Sequence, residues 1–171
     1  MRAISAICLI LFVASCGSRK VASPKQHGKD KENIILQSMA KEYGLEIAQM
    51  QTKKLYLLIH DWYGVPHKDN GCTKSGTDCS CFVQMIYQQT YNQYVGRHTG
   101  EMYKNTKRIH KNQLREGDLV FFITKGKSIS HVGVYLHNNK FVHVSSRKGV
   151  MISSLDEDYF IKTYDTAGKR P

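Results

Sequence analysis

Residues 119–124 (LVFFIT), 131–136 (HVGVYL), 140–146 (KFVHVSS) and 149–155 (GVMISSL) decide the fold class of this chain. Each is a short run rich in Val, Ile and Phe, and Gly, Asn or Lys separates one from the next, which is the signature of β-strands. In HVGVYL, Val132, Val134 and Leu136 alternate with His131, Gly133 and Tyr135, so the histidine takes the face away from the apolar side. Upstream the period becomes helical. Ile34, Ile35, Met39 and Tyr43 end at Gly44, and Leu55, Leu58, Ile59 and Trp62 end at Gly64 and Pro66. Phe82, Val83, Ile86 and Tyr87 form a third stripe that starts from Asp78 as N-cap and runs toward Gln89. Helices followed by strands predict an α+β domain, with N-terminal helices packed on a C-terminal antiparallel sheet. Residues 156–171 carry no decisive pattern.

The 171 residues suit one such domain preceded by a targeting segment. Arg2 followed by Ala6 to Val13 (AICLILFV) has the form of a signal peptide, too short to span a bilayer. Small residues then lead to Cys16 in Val13-Ala14-Ser15-Cys16-Gly17, which resembles the lipobox of bacterial lipoproteins, where the cysteine is lipidated. The expected organisation is a signal peptide over 1–15, a lipidated linker over 16–31, polar and basic as a tether is, and a folded domain over 32–171. Gly17-Ser18-Arg19-Lys20 is not acidic, which points to an outer membrane and its periplasmic side. The formal net charge of +11 favours polyanionic surroundings. The basic residues are spread without an aromatic-interleaved run, and the chain is exported, so no nucleic-acid partner is expected.

Of five cysteines, Cys8 leaves with the signal peptide and Cys16 is the lipid site, so Cys72, Cys79 and Cys81 remain. An odd thiol in an oxidising compartment, with histidines elsewhere in the chain, points to nucleophilic catalysis. Cys79 opens the third helix, where free backbone N–H groups and the helix dipole favour a thiolate and can hold an oxyanion; a nearby imidazolium would lower the thiol further. His131 is the candidate base, and His143 the candidate group that orients it. This requires both rings on one face of the sheet. A two-residue Asn138-Asn139 hairpin of regular register would put them on opposite faces, so an odd-length loop or a bulge is expected, pairing His131 directly with His143. A zinc site is disfavoured because Cys72-x6-Cys79-x-Cys81 lacks the usual knuckle spacing. A Cys72–Cys81 disulfide fits the compartment better, though the spacing alone leaves the pairing open.

From about Leu55 to Asp165 these residues also form an ordered series of motifs. Gly64-Val65-Pro66 leads into a loop, Asp78-Cys79-Ser80 is followed by Phe82-Val83, and Leu114 to Phe122 reads LREGDLVFF. Ser130 to Leu136 and Phe141 to Ser145 come next. The series resembles the NlpC family of bacterial papain-like cell-wall peptidases. That resemblance implies a cysteine endopeptidase that cuts peptidoglycan stem or cross-link peptides through a thioester, with Cys79, His131 and His143 as its triad. It implies no cofactor or metal, and the expected partners are the wall peptide and, through Cys16, the membrane, with the chain a monomer. Asp78 and Ser80, by the same resemblance, meet the substrate's amine. His67 stands where the family usually has a tyrosine that helps hold the oxyanion or substrate, and Cys81 stands where a glycine is usual. The alternative reading is a catalytically silent wall-binding lipoprotein on the same scaffold.

Overall fold

The computed structural model describes residues 24–171, with side chains from His27 onward. The signal peptide (1–15) and Cys16 lie outside the described residues. The chain runs α1 (Pro24–Tyr43), α2 (Lys53–Trp62), β1 (Cys72–Thr73), β2 (Gly76–Thr77), α3 (Cys79–Ile86), α4 (Thr99–Asn105), β3 (Lys107–Ile109) and β4 (Leu119–Phe122). It continues with β5 (His131–Tyr135), β6 (Lys140–Ser145), β7 (Gly149–Ser154), α5 (Asp158–Thr163) and β8 (Tyr164–Lys169). Strands β3 to β8 form one antiparallel sheet in the order β3-β8-β4-β5-β6-β7. Among the described residues no helix is long and apolar enough to cross a membrane.

Helices α1, α2 and α3 pack on one face of the sheet. Their Leu36, Met39, Leu55, Ile59, Phe82 and Val83 share a core with Leu119, Phe121, Val132, Val134, Val142 and Val144. The alternate residues Val120, Phe122, Tyr135 and Phe141 cover the other face with Phe160 of α5. Burial of each large side chain contributes on the order of 1.5–3 kcal/mol, so the two faces together make the strand pattern costly to shift. The linker expectation needs correction over 24–31, which is helical. Residues 27–34 are exposed. Leu36 and Met39 seat the later part of α1, and extending an existing helix backward costs little, which composition alone does not register.

The turn between β5 and β6 decides which side chains meet. Asn138 and Asn139 both adopt left-handed backbone, with φ of 51° and 58°, and Lys140 N–H donates to the His137 carbonyl, the geometry of a tight two-residue turn. Leu136 N–H, however, donates to the Lys140 carbonyl, so Leu136 and His137 together oppose one residue. This is the expected bulge. Beyond it Tyr135 pairs with Phe141 and Val134 with Val142. The histidines therefore share a face, but as diagonal neighbours and not as the direct pair expected. Gly133 lies between them because a Cβ there would stand 2.7 Å from the Phe141 ring and 2.8 Å from the Val142 carbonyl oxygen.

At the opposite end of β5 from His131, a buried clasp ties the N-terminal segment to the sheet. Glu116 accepts from the N–H groups of Gln51 (2.9 Å) and Thr52 (2.8 Å) and from the Tyr56 hydroxyl (2.8 Å). His137 Nε2 accepts from Glu46 N–H at 2.9 Å. Nε2 is thus unprotonated, Nδ1 carries the hydrogen, and it donates to the Tyr56 oxygen at 3.1 Å.

Loop 63–77 is fixed at two places. Gly64 N–H donates to the Val150 carbonyl and Val150 N–H to that of Val65, which seats the loop on β7; a side chain at Gly149 would collide with the Val65 carbonyl. A disulfide joins Cys72 to Cys81 in the first turn of α3, with Cα atoms 5.6 Å apart. Cys79 is left as the free thiol among the described residues. The bridge closes a sequence separation of 9 residues, so the Cys72→Ser/Cys81→Ser double variant is expected to lose about 2–3 kcal/mol of stability in chemical denaturation. The wild type should lose a similar amount on adding reductant, while the variant does not respond.

Candidate active site

Asp78 starts α3 as its N-cap, with extended backbone (φ −93°, ψ 168°), and its Oδ1 accepts the Cys81 N–H at 2.6 Å. Cys79 is therefore the first helical residue, with its sulfur over the sheet end where β5 begins. Thr99 Oγ1 lies 3.9 Å from Sγ, and the N–H groups of Val132 and Ser80 also reach the sulfur. Val132 directly follows His131, so the start of β5 is brought to the sulfur.

His131 Nε2 and His143 Nδ1 are 3.0 Å apart, and His143 Nε2 is 3.3 Å from Ser153 Oγ. Two neutral arrangements satisfy both contacts, and the one that suits a base at this position has His131 Nε2–H donating to His143 Nδ1 and His143 Nε2–H donating to the serine oxygen. It leaves His131 Nδ1 with a lone pair and no protein partner among the described residues. The rings sit against Phe122, Phe141 and Phe160, with centroid separations of 5.8 Å from His131 to Phe122, and 5.0 and 5.2 Å from His143 to Phe141 and Phe160. Burial in this aromatic cage pushes both imidazoles well below their ordinary range, with the charge of His67 adding to the effect at His131 and that of His131 at His143.

Burial likewise pushes the Cys79 thiol up and the Asp78 carboxylate adds to this; the Thr99 hydroxyl and the Val132 and Ser80 N–H groups oppose it but do not win. This corrects the expectation of a thiol already lowered by helix dipole and imidazolium. Desolvation penalises the charged form of each group, which favours a neutral thiol and a neutral imidazole.

All six residues expected at a site, His67, Asp78, Cys79, Ser80, His131 and His143, line a single cleft of about 990 Å³. Their orientations differ. His67 bridges to Thr77 through its backbone, and its Nε2 is 3.6 Å from an exposed Asp69 oxygen. Asp78 and Ser80 direct their polar groups inward: the Ser80 hydroxyl donates to Asp78 Oδ1 at 2.9 Å, and Arg97 donates to Asp78 Oδ2 at 3.1 Å and to Ser80 Oγ at 3.1 Å. Burial raises the Asp78 carboxyl, but the Cys81 N–H, Arg97 and Ser80 outweigh it and hold it below its usual range. No motif or spacing signals Arg97 or Thr99, which arrive from a loop and a short helix. Ser153 was visible only as one polar residue inside an apolar strand. Among the described residues no group of three or more His, Cys, Asp or Glu is placed to hold a metal ion.

The buried neutral rings generate a pH dependence. An imidazole with a depressed native pKa binds fewer protons folded than unfolded, so its contribution is unchanged above the ordinary value near 6.5 and stability falls as pH drops below it. Urea denaturation between pH 6.5 and 5 is expected to show a loss that steepens toward about 1.4 kcal/mol per pH unit for each ring that stays neutral. The His143→Asn variant should flatten that slope; an unchanged slope would mean the ring is not buried uncharged.

Comparison with known proteins identifies the family. The model of the NlpC/P60 family matches residues 64–169, the stretch that carries Cys79, His131 and His143. The chain is 34% identical over 171 residues to the murein DD-endopeptidase MepS/murein LD-carboxypeptidase of Escherichia coli K12, an alignment that covers 98% of this chain and 90% of that protein. It is 35% identical over 162 residues to the probable endopeptidase NlpC of the same organism, covering 92% and 94% of the two chains. The crystal structure of an NlpC/P60 family protein from Bacillus cereus superposes with a TM-score of 0.63 at 26% identity, over 69% of this chain and 39% of that one. The chain belongs to the NlpC/P60 family, a family of cysteine peptidases.

Proposed function

We propose that the chain is a peptidoglycan endopeptidase that hydrolyses stem or cross-link peptides, with Cys79 as nucleophile, His131 as base and His143 as the residue that orients His131. One observation carries this reading: the His131–His143 contact of 3.0 Å lines the same cleft as the single free thiol of the described residues, which opens a helix. The relatives named as murein and NlpC endopeptidases support the substrate class.

The neutral resting pair fixes the order of events. As a peptide carbonyl approaches, the Cys79 proton passes to His131 Nδ1 and Sγ bonds to the carbonyl carbon. The oxyanion is held by the N–H of Cys79 at the start of α3, with His67 as a second donor across the cleft. His131 then gives the proton to the departing amine, and the C–N bond breaks to leave a thioester on Cys79. Water, deprotonated by the same ring, hydrolyses it and restores the thiol. His143 fixes the His131 tautomer throughout and stabilises the transient imidazolium by its hydrogen bond. We further propose that the domain is held by lipid on Cys16 at an outer membrane, facing the periplasm; the residue pattern over 1–16 supports this.

The test is digestion of purified peptidoglycan, with released fragments identified by mass spectrometry. Cys79→Ala and His131→Ala are each expected to lose at least about a thousandfold in rate. His143→Ala should lose about a hundredfold or more, and His143→Asn less, because an amide oxygen can still accept from Nε2–H. Equal silence from the wild type and Cys79→Ala would turn the reading to a wall-binding protein on a peptidase scaffold.

A further inference from the structure

The segment Arg97-His98-Thr99 reaches the nucleophile from a part of the chain that no motif marks. Thr99 touches the sulfur itself. Arg97 does not, yet its guanidinium makes a two-pronged contact with the carboxylate next door in sequence, Nη2 to Asp78 Oδ2 at 3.1 Å and Nη1 to Oδ1 at 3.4 Å, and Nη1 also holds Ser80 Oγ. The pair is largely shielded from solvent, with side-chain exposures of 31% for Arg97 and 14% for Asp78. A carboxylate is well suited to cap α3, but its charge sits beside a sulfur that has to become an anion.

We propose that Arg97 is a positioning residue for Cys79: by pairing with Asp78 it cancels the negative charge that the helix cap places beside the attacking sulfur. This deepens the peptidase reading and rests on Cys79 as the attacking group. The Asp78 carboxylate is one of the influences that push the thiol up, so an unpaired Asp78 would push it further. Four histidines line the same cleft, His131 on β5, His143 on β6, His67 on the loop before β1 and His98 at the cap of α4, and Asp69, Lys125, Arg147, Lys148, Glu157 and Tyr159 line it as well. His131 is half-buried and His143 buried, and desolvation favours the uncharged form of both rings, whereas Arg97 is a cation bonded to the nucleophile's own turn.

The measurement is the rate of iodoacetamide labelling at Cys79 from pH 6 to 10 in the full chain without reductant, with the labelled cysteine identified by mass spectrometry. Arg97→Gln is expected to raise the midpoint of the profile by about 0.5–1 on the pH scale, and Arg97→Lys to return it toward wild type. Asp78→Asn keeps a good helix cap and should lower the midpoint, because Arg97 is then unopposed. The double variant should fall near wild type. A merely structural role would not move the midpoint in opposite directions. Shifts of the same sign in both single variants, or no shift in Arg97→Gln, overturn the proposal. If Arg97→Gln does not fold, Asp78→Asn decides alone: a downward shift supports the proposal, and an unchanged or raised midpoint overturns it. Because the readout is alkylation, a chain that releases nothing from peptidoglycan counts against the peptidase reading without altering this result.

Discussion

Leu136 and His137 together oppose Lys140, and this one extra residue in the β5–β6 ladder sets the side of the sheet on which every later contact forms. Side chains alternate along a strand, so without the bulge His143 would point into the helix-covered core and His131 would face the aromatic cage alone. With it, both rings meet among Phe122, Phe141 and Phe160, and Ser153 closes the chain of hydrogen bonds. The same bulge turns His137 toward Glu46. One local irregularity thus joins the cleft at one end of β5 to the clasp at the other.

The electrostatics of the cleft follow from that burial. A desolvated thiol beside a desolvated imidazole stores no ion pair at rest, and charge separates only when a substrate carbonyl is present to take up the electron pair. The N-cap of α3 is then in tension with the chemistry, because the side chain that best satisfies the helix's free N–H groups is an anion. Arg97 and the Ser80 hydroxyl absorb that charge locally. Asp78 is consequently less available to a substrate's amine than the family resemblance implies.

The fold class was legible because the strands over 119–155 alternate cleanly and the helices carry full apolar stripes. That Cys79, His131 and His143 line one cleft was inferable for a related reason: Cys79 and His131 stand at the edges of such patterns and His143 interrupts one, where a polar group has to be explained. Even the bulge was inferable, since the parity of a hairpin is arithmetic. What was not legible depends on tertiary context. Strand β8 lies in the interior of the sheet, between β3 and β4, yet its residues YDTAGK show little apolar alternation, because its neighbours supply the burial. Arg97 and Thr99 are brought to Cys79 by the path of a loop, and the direction in which the thiol shifts is set by packing that no spacing reveals. The early start of α1 belongs to this class as well.

The clasp of Glu46, Gln51 and Thr52 onto His137 and Glu116 gives the molecule a mechanical polarity. These contacts lie the length of β5 away from His131, about 17 Å for five residues. A force applied through the chain before α1 must first pull Leu36 and Met39 from the core and then part the clasp. It would reach Cys79 only after that, through α2 and the loop anchored on β7. Tension from any attachment of the N-terminal segment is therefore borne at the end of the sheet remote from the reacting groups, and the cleft keeps its shape under load.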